Sequence, residues 1–162
     1  GNVLHRCLHD IAVEGIETWN EQRITNLKPR FKSALLNEGL PLEQAEESLK
    51  TGIITLSKVF EDERGQWVLA AHEKAHSEYT LTYFDDNRYV RSIIDRTFVD
   101  KGVRWIIDYK TGTHKGGGEN LQIFLDNEAQ RYKPQLDRYE KVLRRYGEQL
   151  PIKKALYFPM FI

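Results

Sequence analysis

The amino-acid sequence predicts an α/β fold in which helices pack around a mixed β-sheet. Three observations lead to this prediction. Apolar residues recur at helical spacing through the N-terminal part, whereas the stretch SEYTLTYF at 77–84 alternates and is rich in strand-forming residues. A second helical pattern then separates the last predicted strand from the first three. The order of helices, three strands in a meander, helix and strand is typical of an α/β sandwich.

The N-terminal part is predicted to be helical. Residues 2–24 are expected to form one helix that Asn2 caps. A short helix over 31–37 and a longer one over 41–60 follow, and residues 62–65 are expected to form a turn. The apolar stripe of the first helix consists of Leu4, Leu8, Ile11 and Trp19.

The C-terminal part is predicted to carry the sheet. A polar, Gly-rich loop over 112–126 follows the third strand, and a helix over 127–146 precedes the fourth. A tight turn at 100–102 joins the second and third strands, so these two strands should be neighbours. The predicted strands are 77–84, 89–99, 103–109 and 153–158.

Composition narrows the class of protein. The 162 residues are the size of one domain, and 1–162 is expected to be one. Zero net charge, from 24 acidic and 24 basic side chains, argues weakly against a stand-alone DNA binder of high affinity. The single cysteine, Cys7, excludes an internal disulfide and fits a reducing, cytoplasmic location. No apolar run approaches the ~20 residues of a membrane helix, so no membrane partner is expected.

Two aspartates on neighbouring strands suggest a metal site. Asp108 and Lys110 are two apart on a predicted strand and therefore share a face, and Asp95 lies on the strand beside it. Two carboxylates repel each other unless a cation lies between them, and Mg²⁺ prefers oxygen ligands. The backbone carbonyl of Tyr109 could supply another oxygen. A blander interpretation is also open, in which Asp-x-Lys lies on a solvated face or in a surface ion pair and Asp95 pairs with Arg96 or Arg91.

The chain resembles the PD-(D/E)XK nuclease superfamily in four motifs that occur in order. More narrowly, it is similar to the C-terminal nuclease domain of bacterial RecB- and AddA-type helicase–nucleases. The motif that ends in Asp95 departs from the family pattern, because Ser92 stands where the family usually has glycine. The matching residues are Gly1 to His5 in GNVLH, Asp95, Asp108 to Thr111 in DYKT, and Gln135, Leu136 and Tyr139 in QLDRY.

This resemblance implies a restriction-endonuclease-like αβββαβ core with an N-terminal helical insertion. It also implies that His5, Asp95 and Asp108 bind Mg²⁺, for which Mn²⁺ can substitute, and that Lys110 acts with the hydrolytic water. The chain would be the C-terminal part of a longer helicase–nuclease. Its partners would be single-stranded DNA ends, the helicase domains of the same chain and further subunits.

Several candidate residues keep two interpretations. Gln135 and Tyr139 share a helix face and either support the site or contact DNA, or are a core tyrosine with a glutamine at its rim. Glu78 is either a further acid of the site or an ordinary acid of an edge strand. The Gly-rich loop at 113–120 is either a mobile loop at the mouth of the site or a disordered linker. A basic stripe on the late helix either tracks phosphates or is only solvated; it consists of Arg131, Lys133, Arg138, Lys141, Arg144 and Arg145.

The leading hypothesis from the sequence is a Mg²⁺-dependent exodeoxyribonuclease domain of a repair or recombination enzyme. The alternative is a nuclease fold that grips DNA or a partner and cuts weakly or not at all. A third is another enzyme of the same superfamily, such as a restriction-type or junction-cleaving endonuclease.

Overall fold

The computed structural model describes residues 2–85, 87–112 and 120–161. The chain divides into two compact units, and each is described by itself. One unit consists of Gly1–Ala71 together with Phe158–Ile162, and the other is His72–Tyr157. The single nuclease domain over 1–162 stays a prediction.

The first unit is helical. Its α-helices are α1 (Asn2–Glu14), α2 (Glu21–Asn26), α3 (Lys28–Asn37), α4 (Leu42–Glu61) and α5 (Glu63–Leu69), with short 3₁₀ turns at Ile16–Thr18 and Pro159–Phe161. Leu4, Leu8 and Ile11 are buried along α1 as their spacing predicts. No helix in the described part of the chain is long and apolar enough to cross a bilayer.

Two predictions in this unit are wrong. The first helix ends at Glu14 rather than at residue 24, because Gly15 adopts φ 91° and its N–H closes the helix onto Ile11. Residues 62–65 start a helix instead of forming a turn. The Asp62 carboxylate accepts a hydrogen bond from the Gly65 N–H at 2.7 Å and so caps α5.

The second unit carries the sheet. Within the described residues, the strands β1 (Glu73–Asp85), β2 (Arg88–Asp100), β3 (Val103–Tyr109) and β4 (Ile152–Tyr157) form one sheet in the order β1-β2-β3-β4. β1 to β3 run antiparallel and β4 lies parallel to β3, which confirms the predicted mixed sheet. The α/β class and the element order are confirmed as well, and both are consistent with a restriction-endonuclease-like fold.

One long helix packs against this sheet. Helix α6 spans Leu121–Arg145 and so begins six residues earlier than predicted, because the Asn120 side chain caps it through the Gln122 N–H at 3.0 Å. Its apolar stripe and the sheet share one core, and this core fixes the position of α6 over the strands. The buried residues of the core are Leu81, Tyr83, Ile94, Ile106, Leu136, Tyr139, Val142 and Leu143.

Candidate active site

The site begins where the β2–β3 ladder ends. The last paired residues are Arg96 and Ile107, and continuing this register by one residue places Asp95 opposite Asp108. At this point the Tyr109 N–H donates to Asp95 Oδ2 at 2.8 Å. The carboxylate of Asp95 therefore takes the place of a backbone acceptor and ties β2 to β3 beside Asp108.

Asp108 is a buried carboxylate with two side-chain partners. It is only 1% exposed, and its strand neighbours Ile106 and Ile107 are buried as well. Gln135 Nε2 donates to Asp108 Oδ1 at 3.0 Å, and Lys110 Nζ lies 2.5 Å from Asp108 Oδ2. Burying a carboxyl group is costly unless it has partners; here Oδ1 has a hydrogen bond, whereas Oδ2 has the Lys110 ion pair but no hydrogen bond among the described residues.

Gln135 and Tyr139 belong to both the core and the site. The Tyr139 hydroxyl accepts a second hydrogen bond from Gln135 Nε2, at 2.6 Å. Burial raises the pKa of Tyr139, the hydrogen bond from Gln135 lowers it, and the negative charges of Asp108 and Asp95 raise it further. Both carboxylates therefore act on one hydroxyl, which stays protonated at neutral pH.

Helix α6 also contributes a residue that the sequence interpretation missed. Lys110 Nζ lies 3.5 Å from the centre of the Tyr132 ring. From the sequence alone, Tyr132 falls at helical spacing with Leu136, Tyr139 and Leu143 and so suggests no more than an apolar stripe. Its spacing to Gln135 and Tyr139, three and seven residues, places all three on one face of α6, and this spacing was the available signal.

A sequence model of the PD-(D/E)XK nuclease superfamily matches residues 1–160. The chain belongs to this superfamily. Members of the PD-(D/E)XK superfamily are generally nucleases, and they typically use divalent metals. A comparison with curated proteins found no match.

The donor set fits the divalent cation that the PD-(D/E)XK superfamily implies. Asp95 and Asp108 offer carboxylate oxygens, the ligand type that Mg²⁺ and Mn²⁺ prefer. The partners of the buried Asp108 carboxylate are the neutral Gln135 amide and the Lys110 ammonium. A metal ion bound there would balance further negative charge of the two carboxylates. Among the described residues, no group of three or more His, Cys, Asp and Glu side chains is arranged to hold a metal ion.

Four of the predicted site residues form a contact network in the second unit: Asp108, Lys110, Gln135 and Tyr139. Asp95 joins it through Tyr109, whose carbonyl stays a predicted ligand. Arg96 donates to Ser77 Oγ at 3.0 Å, and the alternative in which Asp95 pairs with Arg96 or Arg91 stays a prediction. The roles of these residues in catalysis remain predictions.

For three other candidates the structure describes no contact with this network, or does not describe the residues at all. His5 is half-buried on α1, in the helical unit, and its role as a ligand stays a prediction. Glu78 is exposed on β1, with φ 49°, at the register position opposite Asp95. Residues 113–119, most of the predicted Gly-rich loop, lie outside the described residues.

Much of the basic stripe on α6 has acidic or carbonyl partners within the second unit. Arg131 lies 3.3 Å from Glu128, and Lys133 lies 2.5 Å from Asp137. Arg144 and Arg145 donate to backbone carbonyls, including that of Phe84. Arg131 and Lys133 are also largely exposed, so a phosphate-tracking role and a solvated face both stay predictions for the stripe.

Proposed function

We propose that this chain is a Mg²⁺-dependent deoxyribonuclease domain that hydrolyses DNA phosphodiesters from an end, as an exodeoxyribonuclease does. One observation carries the proposal. The buried Asp108 carboxylate, held by Gln135 and Lys110, lies on the strand beside Asp95 at the end of their ladder. This arrangement gathers two acids and an ammonium at one place, as metal-assisted phosphoryl hydrolysis requires.

Asp95 and Asp108 are the residues that would hold the cation, with the Tyr109 carbonyl and His5 as further candidate ligands. When bound, the cation would stabilise negative charge on the phosphate and make a bound water more acidic. Mn²⁺ has similar ligand preferences and would substitute for Mg²⁺.

Lys110 supplies the fixed positive charge of the site. Its side chain is 16% exposed, so the ammonium is near solvent but held beside Asp108. From there it would orient the attacking water and stabilise charge that develops on a phosphate oxygen. Gln135 would hold Asp108 in one orientation while Tyr139 anchors the amide.

The substrate would be single-stranded DNA ends without sequence preference, because phosphate contacts carry no base information. The neutral net charge argues weakly against a stand-alone DNA binder of high affinity and is compatible with delivery of DNA by another part of a larger protein. From the resemblance of the four motifs we infer a parent helicase–nuclease of the RecB and AddA type, which acts in cytoplasmic DNA repair or recombination. Arg131 would contact phosphates along the DNA path, and Glu78, at the register position opposite Asp95, would be a further acid of the site.

The test is digestion of end-labelled single-stranded DNA, linear and circular, with Mg²⁺ or with a chelator. The proposal predicts that linear strands are shortened, that circular strands persist, and that both the chelator and Asp95→Asn stop the reaction. Cutting of circular strands would replace the exonuclease assignment with an endonuclease. Equal activity of wild type and Asp95→Asn would overturn the assignment of the site.

A second candidate is a nuclease fold that binds DNA or a partner without cutting. The observation that favours it is the Lys110–Asp108 ion pair at 2.5 Å, which engages both groups with each other. Calorimetry separates the two functions. A binding module takes up neither Mg²⁺ nor Mn²⁺, and its affinity for DNA is unaffected by Asp95→Asn.

A further inference from the structure

The proposed chemistry leaves the role of Tyr132 unassigned. This residue lies on α6, three residues before Gln135, and is half-buried. Its ring centre is 3.5 Å from Lys110 Nζ, well inside the roughly 6 Å at which a cation interacts with an aromatic face. The tyrosine therefore contacts the one ammonium that the proposed mechanism depends on.

Among the described residues, Lys110 contacts two partners that differ in chemistry. Asp108 Oδ2 lies 2.5 Å from the ammonium, and the Tyr132 ring contacts the same nitrogen. A lysine side chain is a flexible four-carbon stem and loses considerable entropy when fixed. A carboxylate alone fixes a distance, whereas a carboxylate together with a ring face also fixes a direction.

We propose that Tyr132 is a positioning residue: its ring face holds the Lys110 ammonium beside Asp108, where the reacting phosphate would lie. This inference rests on the proposed function. The ring matters most when Asp108 binds the metal ion, because Asp108 then holds Lys110 less tightly. The uncharged ring does not bind the metal ion and so continues to hold the ammonium. The attraction comes from the ring quadrupole, so phenylalanine should replace tyrosine and leucine should not.

The neighbouring Arg131 does not explain the position of Tyr132. Its guanidinium lies 5.3 Å from the ring centre, farther than Lys110 Nζ at 3.5 Å. Arg131 also has an acidic partner, since it lies 3.3 Å from Glu128 with a side chain that is 69% exposed. The closer and more buried contact of the ring is therefore the one with Lys110.

The first test compares Tyr132→Phe with Tyr132→Leu in single-stranded DNA cleavage. The leucine variant should lose roughly 5- to 20-fold in kcat, the equivalent of one partly buried cation–π contact, while KM stays nearly constant. The phenylalanine variant should keep the wild-type rate. Tyr146→Leu is the matched control, because Tyr146 follows the same helix and donates to the Thr82 carbonyl far from Lys110.

A graded test uses phenylalanine at position 132 with one, two or three ring fluorines, which weaken the quadrupole at nearly constant shape. The logarithm of kcat should fall stepwise with each fluorine. A flat series, or equal impairment of the phenylalanine and leucine variants, would overturn the inference and leave Tyr132 as a packing residue.

A readout that needs no cleavage separates this inference from the proposed function. In the metal-free chain with ¹³C at lysine Cε, the ring current of Tyr132 should shift the Lys110 ε-protons upfield, and Tyr132→Leu should abolish the shift. Calorimetry with Ca²⁺ should give the same affinity for wild type and Tyr132→Leu. A shifted signal in an inactive wild type would overturn the nuclease assignment alone, whereas an active chain without the shift would overturn the role of Tyr132.

Discussion

The two ends of β3 hold buried charges in different ways. Arg104 and Asp108 are four residues apart on one strand face and are 7% and 1% exposed. Arg104 donates to Glu148 at 2.7 Å and to the Lys74 carbonyl at 2.9 Å. Glu148 in turn accepts from the Leu150 N–H at 2.9 Å. These bonds join β1, β3 and the segment after α6, so this end of the strand is built for stability.

The Asp108 end is built from contacts that can be exchanged. Asp108 is held by the neutral amide of Gln135 and by Lys110, a long and flexible side chain. The Lys110 ammonium also contacts the Tyr132 ring. A second acid, Asp95, is held close by through a backbone N–H. Both ends of β3 bury a charged side chain, so burial alone does not identify a functional site. The Asp108 end differs because it brings two acids together and holds them with contacts that a metal ion could replace.

The largest expected effect of a substitution is at Asp108, and it tests directly whether the two ends of β3 differ in function. Replacing it with asparagine should lower DNA cleavage at least about 1000-fold, because a candidate cation ligand and its charge are lost together. The free energy of unfolding should change by less than about 1 kcal/mol, because asparagine keeps the hydrogen bond from Gln135 and relieves the repulsion between the neighbouring carboxylates. Cleavage assays and urea unfolding measure the two effects. Asp137→Asn, a surface acid on α6, is the matched control and should leave cleavage unchanged.

A smaller loss is expected when the support of Asp108 is removed. Gln135→Leu keeps the helix but deletes the hydrogen bonds to Asp108 and Tyr139, and cleavage should fall about 10- to 100-fold. Gln122→Leu on the same helix removes only an exposed hydrogen bond to Asp126 and should behave as wild type. Equal rates for the two variants would contradict the supporting role of Gln135.

The opposite pattern is expected at the other end of β3. Glu148→Ala should lower the free energy of unfolding by about 2 kcal/mol, because it leaves the buried Arg104 without its charged hydrogen bond. The cleavage rate of the folded chain should not change. Glu140→Ala, which breaks a more exposed pair with Lys154, should cost less than about 1 kcal/mol. A loss of cleavage in Glu148→Ala would break the division between the two ends.

The smallest effect is a pH dependence of stability from the same pair. Burial alone would raise the pKa of Glu148, but hydrogen bonds from the Leu150 N–H and from Arg104 outweigh it and lower the pKa. A lowered pKa means that the stabilisation is complete above the ordinary value of about 4.5 and fades as the pH falls through the folded value. Urea unfolding at pH 7 and pH 3.5 should therefore show a smaller difference between wild type and Glu148→Gln at the lower pH.

Much of the fold and the centre of the site could be predicted from the sequence. The strand period places Asp108 and Lys110 on one face, and the tight turn at 100–102 brings Asp95 beside them. These features follow from local spacing, which the sequence contains directly.

Other features, namely the ends of two helices and two long-range contacts, could not be predicted because local sequence patterns are compatible with more than one structure there. The apolar stripe continues past Gly15, so nothing in its period indicated that the helix stops there. Asp62 and Gly65 suit both a turn and a capped helix, and the structure uses the second. The Tyr132–Lys110 contact and the Arg104–Glu148 pair join segments far apart in sequence, and only the packing of α6 and its following segment on the sheet brings them together.

The central claim is that β2 and β3 bring two acids around one divalent ion. Crystals grown with Mn²⁺ and measured near its absorption edge test it most directly. The account predicts an anomalous peak between the carboxylates of Asp95 and Asp108 that disappears in Asp108→Asn. A wild-type crystal with no peak there at saturating Mn²⁺, or a peak that persists in the variant, would contradict it.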